Sequence, residues 1–96
     1  MTPEGKVKKP CRDLAKKLGL LFANVEGKSY NGWPDSECGK YPKGSGIIHI
    51  EFKVPGKEPT EQQWKRIREI REAGGEADWA DSLERYCELI GYDLSL

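Results

Sequence analysis

A chain of 96 residues can enclose one compact core, which leaves no room for a second domain. Its nine aromatic residues argue against a disordered chain, and no apolar run approaches the roughly 18–20 residues that span a bilayer. The net charge is zero, yet residues 1–57 hold 11 basic and 6 acidic residues, whereas residues 58–96 hold 5 and 10.

This charge asymmetry has two interpretations. A basic first half can attract a polyanion while an acidic second half faces away from it. The alternative, which charge alone favours, is an ordinary solvated surface. The apolar run at residues 20–23 is too short for a secretory signal and follows a charged segment, so we expect a cytoplasmic protein with no membrane contact.

The three cysteines, Cys11, Cys38 and Cys87, are odd in number and lack zinc-ligand spacing. A disulfide scaffold and a structural zinc site are therefore not expected. Each cysteine is predicted to fill buried or half-buried space as a small hydrophobic residue.

A first helix is predicted from Thr2, a good N-cap, with Pro3 at the first helical position and Gly19 as the C-cap. One face of this helix is apolar. The residues of that face are Val7, Cys11, Leu14 and Leu18. Pro10 removes a backbone hydrogen bond inside the helix, so the sequence predicts either a bent helix or a helix that begins at Pro10.

Three strands are predicted next. Residues 20–25 and 35–41 form two short ones, separated by a polar, glycine-rich loop over residues 26–33. A turn at residues 42–46 leads to the clearest strand, residues 47–54, whose even-numbered residues are all apolar and face the core. The opposite face carries Ile47, His49, Glu51 and Lys53.

The remaining elements are two helices around a short strand at residues 76–80. Thr60 and Gln63 form a capping box for the first helix, which Gly74 and Gly75 end. A second capping box, Asp81 with Glu84, is predicted for the last helix. The predicted buried residues are Trp64, Ile67, Ile70 and Ala73 in the first of these helices and Leu83, Tyr86, Cys87 and Ile90 in the second. The order α-β-β-β-α-β-α predicts a small mixed sheet flanked by helices.

Asp35, Glu51, Lys53 and Gln63 are the residues that suggest chemistry. A hairpin between residues 35 and 51 places Asp35 beside Glu51, and two adjacent carboxylates repel each other unless a cation neutralises them. Hard oxygen ligands suit Mg²⁺ or Mn²⁺, with the backbone carbonyl of Phe52 as a third ligand. Lys53 shares the face of Glu51, where it can orient an attacking water or stabilise negative charge. Metal, lysine and water together can hydrolyse a phosphodiester.

Each of these residues has a simpler explanation when it is taken alone. A Glu-x-Lys pair on a strand is usually a solvated face, and Pro34-Asp35 is usually a turn. Gln63 can be only a capping-box partner of Thr60, or it can also point its side-chain amide toward the attacking water or the phosphate. His49, on the face of Glu51, is more often a cross-strand packing residue than a catalytic one. The order, spacing and shared face of the set favour the joint function.

These residues resemble the PD-(D/E)xK nuclease superfamily, and within it the VRR-NUC (virus-type replication-repair nuclease) family in its short, stand-alone, phage-like form. The resemblance extends from about residue 2 to residue 80. The matching stretches are Thr2–Lys8, Gly32–Asp35, Ile50–Gly56, Pro59–Gln63 and Arg71–Gly75. The chain departs from the family in the polar Ser36–Lys40 segment, the long turn at residues 42–46, and Pro10. Glu37 shares the face of Asp35, as an additional acid or as a solvated strand residue.

The resemblance implies a restriction-endonuclease-like core and a Mg²⁺- or Mn²⁺-dependent DNA endonuclease. Asp35, Glu51 and Lys53 would be its catalytic triad, with the family's glutamine at Gln63. Glu4 matches the family's first-helix acid and would reach the metal through a water; the alternative is a helix-dipole role. Stand-alone members are similar to Holliday-junction-resolving enzymes of DNA repair and act as homodimers. The resemblance therefore implies a homodimer that acts on branched DNA with a symmetric pair of cuts.

Binding to DNA is expected to be mostly electrostatic. The residues predicted to contact DNA are Lys6, Lys8, Lys9, Arg12, Tyr30, Trp33 and Lys57. The two aromatic residues could stack on an exposed base or wedge a junction, and the alternative for Trp33 is packing against the first helix. The rival function is a non-catalytic DNA-binding or protein-interaction module that keeps the nuclease fold. Trp79, Leu83, Tyr86 and Ile90 could form a dimer interface or complete the core of the monomer.

Overall fold

The structure, a computed structural model, describes residues 2–25 and 30–95. Its elements follow the predicted order α-β-β-β-α-β-α. They are α1 (Pro3–Leu18), β1 (Phe22–Asn24), β2 (Ser36–Gly39), β3 (Ile47–Phe52), α2 (Glu61–Glu72), β4 (Ala77–Ala80) and α3 (Leu83–Ile90). Part of the predicted loop before Trp33, residues 26–29, lies outside the described residues.

The four strands form one sheet in the order β1-β2-β3-β4. The first two pairs are antiparallel, whereas β3 and β4 are parallel and are connected by the crossover helix α2. Ser36 lies opposite Ile50 in the β2–β3 pair. The preceding residue, Asp35, therefore lies next to Glu51, as the predicted hairpin requires.

Helices cover both faces of the sheet. On one face, α1 and α3 enclose the main core, whose buried residues are Cys11, Ala15, Leu20, Cys38, Ile48, Ile50, Phe52, Ala80, Tyr86, Cys87 and Ile90. On the other face, α2 packs over Ala77 of β4, and Trp33 and Trp64 border this smaller cluster. Strand β3 is buried on both faces, since Ile50 and Glu51 point to opposite sides and are 0% and 5% exposed.

Helix α1 begins and ends as the sequence predicts. The Thr2 side chain accepts a hydrogen bond from the Gly5 N–H at 3.0 Å, and Gly19 ends the helix with φ of 72°. The helix continues through Pro10, so the alternative in which it begins at Pro10 is wrong. Pro10 removes only one intrahelical donor, and both halves pack on the core, through Val7 before it and through Cys11 and Ala15 after it.

Three predicted details at element ends are wrong. Ala73 is the exposed C-cap of α2 rather than part of its buried face. The N-cap of α3 is Ser82, whose side chain accepts a hydrogen bond from the Arg85 N–H at 3.1 Å, so Asp81 does not cap this helix. Strand β3 ends at Phe52, which leaves Lys53 just beyond it.

The buried stripe of α3 belongs to the core of the single chain. Tyr86 and Ile90 are fully buried, and Leu83 packs against the same cluster. All three cysteines are buried and free, as predicted. Helix α1, from the basic half of the chain, packs beside α3, from the acidic half. No helix in the described part of the chain is long and apolar enough to span a membrane.

Candidate active site

Three carboxylates from three different elements meet at one end of the sheet. Glu4 lies in the first turn of α1, Asp35 directly precedes β2, and Glu51 lies near the end of β3. Each residue contributes one carboxylate oxygen, and these oxygens all lie within 4.8 Å of one another. The predicted neighbours Asp35 and Glu51 are therefore together, and the first-helix acid joins them.

Asp35 is held by several polar groups. Its Oδ1 accepts hydrogen bonds from the Ser36 hydroxyl at 3.0 Å and from the Phe52 N–H at 3.4 Å. Its Oδ2 lies 3.3 Å from Lys8 Nζ, in an ion pair whose side chains are only 15% and 23% exposed. The hydrogen bond to Phe52 places Asp35 beside the last residue of β3. The carbonyl of this same residue, Phe52, is the predicted backbone ligand of the metal.

Glu51 is a buried acid with few compensating partners. The Gln63 side-chain amide donates to its Oε2 at 3.3 Å, and Lys53 Nζ lies 3.9 Å from the same oxygen. Burial, followed by the charge of Asp35, raises the pKa of Glu51 to about 8. Hydrogen bonding to Asp35, followed by burial, also raises the pKa of Glu4. A cation bound beside these two acids would therefore favour their ionised forms.

Gln63 forms the predicted capping box and also contacts Glu51. Its Oε1 accepts a hydrogen bond from the Thr60 N–H at 2.9 Å, and the Thr60 hydroxyl accepts one from the Gln63 N–H at 3.2 Å. This is the predicted capping box. Because the box uses only the amide oxygen, the NH₂ group remains to hold Glu51.

Lys8 is a site residue that the sequence analysis placed with the DNA contacts instead. It lies one helical turn after Glu4 on α1, and its ammonium pairs with Asp35. The spacing from Glu4 was the available signal, since residues four apart share a helix face. Without the tertiary structure, however, nothing indicated that this face would meet Asp35.

The carboxylate cluster fits a divalent cation. Carboxylate oxygens are the hard ligands that Mg²⁺ and Mn²⁺ prefer, and three of them already converge. A cation bound there would oppose the burial and the charge of Asp35 that raise the pKa of Glu51. Glu4, Asp35 and Glu51 are the side chains that would hold it.

Glu37 and His49 form a separate pair on the sheet. They lie opposite each other in the β2–β3 register, and Glu37 Oε1 is 3.7 Å from His49 Nδ1. Within the described residues, the acidic cluster contains Glu4, Asp35 and Glu51 but not Glu37. His49 also contacts the edge of the Trp33 ring, with ring centroids 5.6 Å apart. This geometry matches the cross-strand packing role.

Four of the seven predicted DNA-contacting residues, Lys6, Lys8, Lys9 and Arg12, lie on α1. Lys6 and Lys57 are exposed, and Lys9 pairs with Asp13 at 2.7 Å. The Arg12 guanidinium lies 5.8 Å from the centroid of the Phe22 ring.

The two aromatic residues of this set lie beside α2. Trp33 packs against the α2 cluster, so the alternative in which it packs against the first helix is wrong. Tyr30 is 43% exposed, and its hydroxyl donates to Glu69 at 2.8 Å. Arg66, which the sequence analysis missed, covers the Tyr30 ring.

The four-stranded sheet with helices on both faces defines a small mixed α/β protein. More particularly, its fold is that of the VRR_NUC domain, which confirms the fold inferred from the sequence resemblance. A solved structure named "VRR_NUC domain" matches with a TM-score of 0.78 and 24% identity, over 95% of this chain and 97% of that one. A second, named "VRR_NUC domain protein", matches with a TM-score of 0.64 and 17% identity, over 97% and 94%. No family model and no curated protein sequence matches the chain.

Proposed function

We propose that this protein is a metal-dependent DNA endonuclease that hydrolyses phosphodiester bonds. The observation that carries the proposal is the convergence of Glu4, Asp35 and Glu51 within a VRR_NUC fold. The ammonium group of Lys53, beside Glu51, distinguishes a hydrolytic centre from a site that only binds a metal ion.

In this proposal the acids hold Mg²⁺ or Mn²⁺, with the Phe52 carbonyl as a further ligand. When bound, such an ion lowers the pKa of a coordinated water and neutralises charge on the phosphate. Asp35 and Glu51 bind the ion directly, and Glu4 contacts it directly or through a water. Gln63 keeps the carboxylate of Glu51 turned toward the cluster by donating to its Oε2.

Lys53 is the proposed catalytic cation. Its side chain is 20% exposed and its ammonium lies 3.9 Å from Glu51, so Lys53 borders the cluster and is partly open to a substrate. From there it can donate a hydrogen bond to the attacking water or to a phosphate oxygen, where negative charge develops during hydrolysis. Its removal should impair the chemical step more than the binding of DNA.

A cleavage panel tests the proposal directly. The full chain is incubated with a labelled four-way junction, a flap and a plain duplex, each in Mg²⁺, Mn²⁺ or EDTA. We expect metal-dependent cleavage by the wild type, none by Lys53→Ala, and nearly equal DNA binding by both. The control is Lys65→Ala, which removes an exposed lysine on α2 that has no assigned role.

The outcomes of this panel separate the two candidate functions. Equal behaviour of wild type and Lys53→Ala contradicts the catalytic proposal. DNA binding without cleavage in every metal favours the rival, a binding module that keeps the nuclease fold. Preference for the four-way junction or flap over the duplex supports the further proposal of a structure-selective, DNA-repair type of activity.

A symmetric pair of cuts in branched DNA requires two copies of the chain, so we propose a homodimer. The burial of Tyr86 and Ile90 within one chain removes the α3 stripe as support for that interface. The exposed apolar side chains Leu21 and Ile47 are more suitable, since both line one shallow pocket at the end of the sheet. Light scattering is the test, because a mass equal to the single-chain 10.9 kDa contradicts the dimer.

A further inference from the structure

The turn that leads to Asp35 is held against α2 by a buried arginine. Arg66 is 9% exposed, and its Nε donates to the Asn31 carbonyl at 2.7 Å. Its Nη1 donates a hydrogen bond to Glu69 Oε1, and its guanidinium lies 3.6 Å from the centroid of the Tyr30 ring. The Tyr30 hydroxyl donates to the other oxygen of Glu69 at 2.8 Å. A buried cation needs such partners, so the turn and the arginine depend on each other.

The fit between this turn and α2 is close. Gln62 Nε2 also donates to the Asn31 carbonyl, at 3.2 Å. Gly32 has φ of +82°, and a Cβ atom added there would lie 2.8 Å from the Gln62 backbone oxygen. The position therefore requires glycine for its backbone conformation and for the close approach to the helix.

The turn continues directly into the candidate active site. The Trp33 N–H closes it by donating to the Tyr30 carbonyl at 3.2 Å. Pro34 is fully buried, and Asp35 follows. The same first half of α2 also carries Gln63, which holds Glu51. One helix therefore fixes the backbone that presents one acid and the side chain of the other.

We propose that Arg66 is a positioning residue for the carboxylate cluster. By clamping Asn31 it fixes Asp35 relative to Glu51, and this sets the affinity of the cluster for a divalent cation. Arg66 acts through the turn and touches none of the three acids. The inference rests on the proposed metal site and assigns to it a determinant outside the motif residues.

The test compares two arginines of α2 in the full chain. Arg71 is the control. Its Nε donates to the Ala77 carbonyl at 2.9 Å, and its Nη2 lies 3.3 Å from Asp78 Oδ2. Like Arg66, it contacts a backbone carbonyl and a carboxylate, but it does so away from the turn and with a side chain that is 47% exposed. Mn²⁺ binding is measured by calorimetry for Arg66→Ala and Arg71→Ala, and thermal unfolding without metal is measured alongside.

We expect Arg66→Ala to weaken Mn²⁺ binding roughly tenfold or more, the usual loss for residues that orient metal ligands. Arg71→Ala should bind Mn²⁺ as the wild type does, even if its unfolding temperature falls as far. Arg66→Lys keeps one donor for the turn and should recover part of the affinity. If Arg66→Ala does not fold, Gly32→Ala displaces the same turn without removing a buried charge and should show the same loss.

Wild-type Mn²⁺ affinity in folded Arg66→Ala or Gly32→Ala, or equal losses in Arg66→Ala and Arg71→Ala, overturns the positioning role. That result leaves the proposed function intact as long as the wild type binds Mn²⁺ and cleaves DNA. A wild type that binds no Mn²⁺ overturns the metal site itself, and the positioning role with it.

Discussion

Glu51 combines two properties that oppose each other. It is 5% exposed, yet the chemistry proposed for it requires a carboxylate. Its pKa is raised from an ordinary 4.5 to about 8, first by burial and then by the charge of Asp35. Between about pH 4.5 and 8, the metal-free folded protein therefore favours a protonated Glu51, whereas the unfolded chain releases this proton.

The first prediction concerns the effect of pH on stability without metal. Because the pKa of Glu51 is higher in the folded state, its stabilising contribution is complete below pH 4.5 and is lost as the pH rises through about 8. Glu51→Gln should therefore be more stable than the wild type at high pH, by up to several kcal/mol at about 1.4 kcal/mol per pKa unit. The difference should shrink toward pH 4.5. Chemical denaturation across this range measures it, and a difference independent of pH contradicts the prediction.

The second prediction concerns Lys8, the ion-pair partner of Asp35. Lys8→Met removes a positive charge beside the acids, so the metal-free protein should unfold at a lower temperature. The affinity for Mn²⁺ should nevertheless increase, by about tenfold, because nearby unit charges interact by 1 kcal/mol or more. Calorimetry and thermal unfolding measure the two effects. Lys9→Met is the control, since Lys9 pairs with Asp13 on the exposed surface; a loss of metal affinity in Lys8→Met would contradict the prediction.

At the scale of elements, α1 and α2 present the site differently. Helix α1 contributes Glu4 and Lys8 from its first two turns, whereas α2 holds the other acids in place through Gln63 and the Asn31 turn. The capping box at the start of α2 supports this second role, because it fixes the helical turn that carries Gln63.

The third prediction follows from the proline inside α1. Pro10 lies in the middle of the helix and is exposed, so alanine there restores a backbone hydrogen bond without disturbing the core. Pro10→Ala should raise the free energy of unfolding by about 1–3 kcal/mol. Denaturant titration measures the change. Lys16→Ala, on the exposed side of the same helix, should be nearly neutral, and a destabilised Pro10→Ala would show that the core requires the proline geometry.

At the scale of the whole molecule, the site joins distant parts of the chain. Glu4, Asp35 and Glu51 come from α1, from the residue before β2 and from β3, so an ion held by all three links one helix to the sheet. Such an ion would bind the folded state and not the unfolded chain, and it would therefore stabilise the fold as a whole.

The fourth prediction is that Mn²⁺ raises the unfolding temperature and EDTA reverses the effect. At a concentration of about one hundred times its dissociation constant, the gain should be about 2.7 kcal/mol. Asp35→Asn removes one ligand charge and should lose most of this gain, whereas Glu37→Gln, outside the acidic cluster, should retain it. Calorimetric unfolding with and without metal measures both, and an equal shift in the two variants contradicts the site.

The sequence by itself determined the element order, the caps at Thr2, Gly19 and Thr60, and the hairpin that places Asp35 beside Glu51. These features are local, since each depends on capping chemistry or on the alternation of side chains along a strand. The same local rules failed where two neighbouring residues compete for one role, as Asp81 and Ser82 do at the start of α3.

Only the tertiary structure decided which distant side chains meet. Lys8 reaches Asp35 because α1 crosses that end of the sheet, and Arg66 reaches Asn31 because α2 packs on the opposite face. Neither contact leaves a periodic or spaced signal in the sequence, since the partners are far apart along the chain and come together only through packing. The burial that raises the pKa of Glu51 is decided in the same way, by the helices on both faces of β3.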